Sequence, residues 1–94
     1  MSLKERFSAN LKRARQRAGI SQAELGRLTE LHRTEIYLLE SGKRMPRLDT
    51  LLKLVCALEI PADDLLAGMA WKASAETYGS YEVTDPSARL RGDG

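Results

Sequence analysis

The sequence is poor in the residues that carry redox, metal or catalytic chemistry. Its 94 residues include one cysteine, Cys56, and one histidine, His32. A lone thiol excludes an intramolecular disulfide, and without a Cys/His cluster at ligand spacing a structural zinc site is excluded too. No cofactor is expected. Proline occurs three times and aromatic residues make up 5% of the chain, beside 43% hydrophobic and 30% charged residues. That balance belongs to a folded globular protein rather than a disordered one. The longest apolar run, Leu65 to Trp71, is interrupted by Gly68 and is far too short to span a bilayer. Lys4, Glu5 and Arg6 lie where a secretory signal would need an apolar core, so a cytoplasmic protein is expected. Carboxylates are plentiful, but no nucleophile is paired with a base, and no phosphate-cradling glycine loop or nucleotide fingerprint is present. The residues describe a non-enzyme.

Net charge is only +2, yet it is unevenly spread. Residues 1–47 hold 11 Lys/Arg against 5 Asp/Glu, whereas residues 48–94 hold 4 against 8. One basic half backed by an acidic half suits a nucleic-acid face. Charge alone leaves a second reading open, in which the basic residues simply solvate the first helix.

The apolar residues recur at helical period over most of the chain. Ser2 can cap a first helix with Phe7, Leu11, Ala14 and Ala18 on one face and Lys12, Arg13 and Arg17 on the other, stopped by Gly19. Ser21-Gln22-Ala23-Glu24 fits a capping box opening a second helix to about Thr29, with Leu25 and Leu28 inward. A short turn at Glu30 and Leu31 leads to a third helix, His32 to Glu40, with Ile36 and Leu39 inward and Gly42 past its end. After the basic loop Lys43 to Arg47, the stripe Leu48, Leu51, Leu52, Val55 and Leu58 marks a fourth helix, in which Cys56 reads as a small packing residue. Pro61 through Ala67 reads as a short fifth helix, with Asp63 and Asp64 in its first turn. Beyond Met69 the pattern changes. Tyr78 to Val83 has some strand character, and Ala88 to Gly94 reads as a disordered end.

Three stretches together carry a family signature: Gly19-Ile20-Ser21-Gln22-Ala23-Glu24-Leu25, then Leu31-His32-Arg33-Thr34-Glu35-Ile36, then Leu39-Glu40-Ser41-Gly42-Lys43-Arg44-Met45-Pro46. In order and spacing they closely resemble the XRE-type helix-turn-helix family of lambdoid phage repressors, over roughly residues 5–68. The resemblance implies an all-α fold: a five-helix repressor-like DNA-binding domain over residues 1–68, followed by a short tail over 69–94 with one strand at most. It also implies a small residue where the second and third helices cross, a place held here by Gly26.

With Ile36 and Leu39 facing in, helical geometry turns Arg33, Thr34, Tyr37, Leu38 and Ser41 outward. The family positions matching Arg33, Thr34 and Leu38 commonly meet base edges: Arg33 suits guanine, Thr34 a base or phosphate, and Leu38 a thymine methyl, with Tyr37 at the margin. Gln22, in the first turn of the second helix, and Ser41, Lys43 and Arg44 on the other flank are expected to hold phosphates. Arg15 and Glu40 match a family pair that bridges the first and third helices. His32 is expected as an exposed cap residue, and Trp71 as an anchor for the tail.

Three positions depart from the family pattern. Glu30 replaces the usual turn glycine, Glu35 lies beside the reading face where it would repel phosphate if turned outward or could accept from cytosine N4, and Arg47 replaces a Ser or Thr cap. The implied function is a sequence-specific regulator, a repressor more often than an activator, binding double-stranded DNA as a homodimer through Leu65, Leu66, Met69, Trp71 and Tyr81, with Tyr78 to Val83 open to serve as a strand paired across the two-fold axis and no small-molecule ligand evident. A protein-interaction module on the same fold, of the antitoxin or bridging-coactivator type, remains the alternative at this level.

Overall fold

The computed structural model describes residues 1–76 and 78–84; the disordered end expected at 88–94 lies outside them. Five helices follow in order: α1 (Leu3–Ala18), α2 (Gln22–Thr29), α3 (Arg33–Glu40), α4 (Leu48–Leu58) and α5 (Ala62–Leu66). Two short strands, β1 (Met69–Lys72) and β2 (Ser80–Val83), complete the described chain. The fold is thus all-α with a small two-stranded sheet, and no helix among the described residues is long and apolar enough to cross a membrane.

The first three helices start where a side chain can satisfy their free amides. At α1 the Ser2 hydroxyl accepts from the Glu5 amide while the Glu5 carboxylate accepts from the Ser2 amide at 2.8 Å, a complete capping box. The box read at Ser21 forms only by half: the Ser21 hydroxyl accepts from the Glu24 amide at 3.0 Å, but the Glu24 carboxylate turns away to Arg27. An exposed arginine three residues along the same helix competes directly with the cap amide for that carboxylate. His32 caps α3, its Nδ1 accepting from the Thr34 amide at 3.0 Å. Arg47 precedes α4 without any side-chain cap bond, as expected of a residue with no acceptor.

The core is built from Phe7 and Leu11 of α1, Leu25 of α2, Ile36 and Leu39 of α3, Leu54 and Leu58 of α4, and Leu65 of α5. Each side chain removed from water contributes about 1.5–3 kcal/mol. The inward stripe of α3 is as expected, and that of α1 holds at Phe7 and Leu11, with Ala14 half-buried, but Ala18 at the helix end is exposed, and those of α2 and α4 need correction. Leu28 is 43% exposed, Leu52 60% and Leu48 81%, while Leu54, absent from the expected stripe, is fully buried. Cys56 is likewise exposed rather than packed. Both an i, i+3 and an i, i+4 leucine row run along α4, and only the direction from which its neighbours approach decides between them.

Two polar side chains that periodicity passes over, Arg6 and Asn10, are buried at 2% and 4% exposure. Arg6 Nε donates to the Ala67 carbonyl at 2.8 Å, and Asn10 Nδ2 donates to the Leu65 and Ala67 carbonyls at 3.0 and 2.9 Å. Carbonyls at the end of α5 have no partner within so short a helix, so α1 supplies the donors and a cation at the negative end of the helix dipole. Gly68 follows at φ +80, where a Cβ would lie 2.4 Å from Arg6 Nε. Only glycine gives the guanidinium room there.

The tail forms an intrachain hairpin. β1 and β2 pair antiparallel with Met69 opposite Val83 and Trp71 opposite Tyr81. The strand anticipated near Tyr78 is therefore present, shortened to Ser80–Val83, and its partner is Met69–Lys72, which sequence pattern had not marked. Trp71 and Tyr81 meet edge to face, their rings 5.1 Å apart, and both remain more than half exposed.

Candidate nucleic-acid interface

The site rests on how tightly α2 and α3 meet. Gly26 is buried, and a Cβ there would lie 2.9 Å from the Leu31 carbonyl oxygen, too close for any side chain. That carbonyl belongs to the turn, whose shape comes from Glu30 at φ 58. Glu30 therefore takes up the left-handed conformation usually given to glycine, at a cost of about 1–2 kcal/mol. In return its amide donates to the Arg27 carbonyl at 3.3 Å and the next amide, of Leu31, to the Gly26 carbonyl at 3.0 Å, closing the end of α2.

From the other side α3 is held by an ion pair. Arg15 donates to the Glu40 carboxylate through Nε at 2.6 Å and Nη2 at 3.0 Å, and through Nη1 to the Ile20 carbonyl at 2.8 Å. The two side chains are 13% and 3% exposed, and the hydrogen bond it donates to Glu40 holds the Arg15 guanidinium above its ordinary pKa. Gln22 Nε2 adds a third donor to the same carboxylate at 3.1 Å. One buried carboxylate of α3 thus ties α1, α2 and the loop before α2 together.

With Ile36, Leu39 and Glu40 buried, the opposite side of α3 is open. Arg33, Thr34 and Ser41 are exposed, Tyr37 is half exposed, and Leu38 is half-buried. Gln22, His32, Arg33, Thr34 and Tyr37 surround an open depression of about 420 Å³. Beside it Lys12, Gln22, Tyr37, Glu40 and Ser41 line a smaller one of about 160 Å³. The structure therefore brings Gln22, Arg33, Thr34, Tyr37 and Ser41 to one surface. It adds Lys12, which sequence reasoning left on the solvated side of α1. A signal was present: Lys12 lies three residues before Arg15, one turn along the same side of the helix, and Arg15 is anchored to α3.

Lys43 and Arg44 lie in the loop after α3, fixed by the Lys43 amide donating to the Leu38 carbonyl at 3.1 Å. Both are exposed. Arg44 bonds through Nη1 to Glu35, so the acidic departure beside the reading face is matched by a cation rather than left bare. Of the five residues expected at a dimer contact, Leu65 is fully buried in its own core and is not available. Met69 is half-buried, while Leu66, Trp71 and Tyr81 are 45%, 56% and 65% exposed.

A helix pair with one side locked and the other open, flanked by cations, suits DNA, and family and structural likenesses make the chain a DNA-binding domain of the transcription-regulator class. A Helix-turn-helix family model matches residues 11–65, and the chain belongs to this family, in its XRE-type branch. Among solved structures it is similar to the restriction-modification controller protein C.AhdI from Aeromonas hydrophila, at 34% identity over 66% of this chain and 94% of that one, with a TM-score of 0.64. It is also similar to the hypothetical transcription factor NHTF from Neisseria, at 31% identity over 69% of this chain and 75% of that one, TM-score 0.65. The DNA-binding domain of the P22 C2 repressor matches at 28% identity over 72% of this chain and 88% of that domain, TM-score 0.64. No curated protein sequence matches significantly.

Proposed function

We propose that this chain is a homodimeric, cytoplasmic transcription repressor that inserts α3 into the major groove of a near-palindromic operator. The observation that carries this reading is the outward row Arg33, Thr34, Tyr37 and Leu38 on a helix whose back is pinned by Ile36, Leu39 and the Arg15–Glu40 pair. A rigid helix presenting those side chains can read base edges, Arg33 toward guanine and Leu38 toward a thymine methyl. Lys12, Gln22, Ser41 and Lys43 surround the row and suit backbone phosphates, which set position without reading sequence. The similarity to a controller protein and to a repressor DNA-binding domain supports the same assignment.

One recognition helix reads few base pairs, so useful specificity calls for two copies. Leu66, Met69, Trp71 and Tyr81 offer the apolar surface for pairing, in place of a strand shared across the two-fold axis. Half-sites would then be centred about 10–10.5 base pairs apart. The test is selection of bound sequences from a random DNA pool, with sedimentation of the complexes. A palindromic consensus is expected, bound by two chains, with a salt slope of about −7 if eight phosphates are neutralised. Arg33→Ala should cost about 1–3 kcal/mol and relax one base pair per half-site. Lys43→Ala should weaken all sequences alike. A consensus unchanged by Arg33→Ala, or a salt-independent titration, overturns the reading.

A further inference from the structure

The two neighbouring cations of the loop after α3 are not equivalent. Lys43 has no acidic partner among the described residues, whereas the Arg44 guanidinium reaches back nine residues to the Glu35 carboxylate. Glu35 is in the first turn of α3, its side chain 24% exposed, and Arg44 is 53% exposed. The carboxylate therefore sits where the helix start favours a negative charge and meets the guanidinium much as a phosphate oxygen would.

Resting on the DNA-binding reading, we propose that Glu35 is a specificity-determining residue that acts as an internal phosphate mimic, withholding Arg44 from the backbone of non-operator DNA. Non-specific affinity is almost wholly phosphate neutralisation, so a cation held by its own chain is subtracted from that term. The base-reading row on α3 is left intact, and the ratio of operator to random-sequence binding rises. An exposed ion pair is weak, so the withheld affinity amounts to about two- to five-fold per protomer. That is small enough for the pair to yield, and large enough to measure.

The experiment is a salt titration of the full chain against a mixed-sequence duplex, comparing wild type, Glu35→Gln, Arg44→Gln and the double variant, with thermal melts confirming that each is folded. Glu35→Gln is expected to tighten non-specific binding two- to five-fold per protomer and to steepen the slope by about 0.9 per protomer, as one freed arginine displaces one more counterion. The double variant should return to the wild-type slope. An unchanged slope in Glu35→Gln overturns the proposal. So does an equal gain from Glu35→Gln in the Arg44→Gln background, since Glu35 would then act by general repulsion and not through Arg44. A wild-type chain that binds no DNA would instead remove the reading beneath it.

Discussion

Replacing Glu40 by glutamine keeps the shape of the side chain and removes its charge. In the native fold the carboxylate accepts from Arg15 Nε, Arg15 Nη2 and Gln22 Nε2 while only 3% exposed. A glutamine has one oxygen for these three donors, and its amide nitrogen would face a guanidinium. Arg15 would keep its bond to the Ile20 carbonyl but lose its counter-charge. Breaking a buried pair by removing one partner costs about 3–5 kcal/mol. The lower end applies because Arg15 is 13% exposed and can recruit water. A domain of this size has roughly 5–14 kcal/mol of stability in total, so a loss of about 3 is severe. At about 4–8 °C per kcal/mol the melting midpoint should fall by roughly 12–24 °C. Urea unfolding followed by circular dichroism measures the loss directly. The apolar double variant Arg15→Met with Glu40→Leu should recover most of it, because no buried charge is then left alone. A Glu40→Gln loss below about 1 kcal/mol, typical of a solvated pair, would refute the reasoning, as would a double variant no better than the single.

Gly26→Ala should destabilise by about 1–3 kcal/mol through overpacking, since its Cβ would lie 2.9 Å from the Leu31 carbonyl oxygen. The gain in helix propensity offsets about 1 kcal/mol of that. Chemical denaturation gives the net value, and a stabilised variant would mean that the turn yields easily. Hydrogen bonds from the Ser2 amide and then the Ser2 hydroxyl hold the Glu5 carboxyl below its ordinary pKa. Its contribution to stability is therefore present above the unfolded carboxylate value and is lost as pH falls through the lowered folded one. Unfolding measured across pH 2 to 6, the usual carboxylate range, should show a shallower acid limb for Glu5→Gln, and parallel curves for the two proteins would exclude this role.

The helices and their order were legible because periodicity and end signals are local. Phe7 with Leu11, Ile36 with Leu39, Gly19 and the Ser2 cap each act within a turn or two of chain. The outward row Arg33, Thr34, Tyr37 and Leu38 followed from Ile36 and Leu39 facing in, and the Arg15–Glu40 pair came from the family resemblance. What a residue meets from another element was not legible in this way. Two leucine rows on α4 satisfy helical period equally, and only the approach of its neighbours buries Leu54 and leaves Leu48 and Leu52 in water. Arg6 and Asn10 look like surface residues by type, yet unpaired carbonyls at the end of α5, more than fifty residues away, draw them inside. Whether Glu35 repels DNA or restrains Arg44 depended on a loop folding back across nine positions, and the partner of Ser80–Val83 depended on a chain reversal at Tyr78 and Gly79, both at positive φ. Sequence by itself determined which segments are helical and which side of α3 is free, since both follow from short-range geometry. Tertiary structure alone decided that Arg6 and Asn10 are buried and that Glu35 is paired with Arg44, because those depend on contacts between residues far apart in the chain.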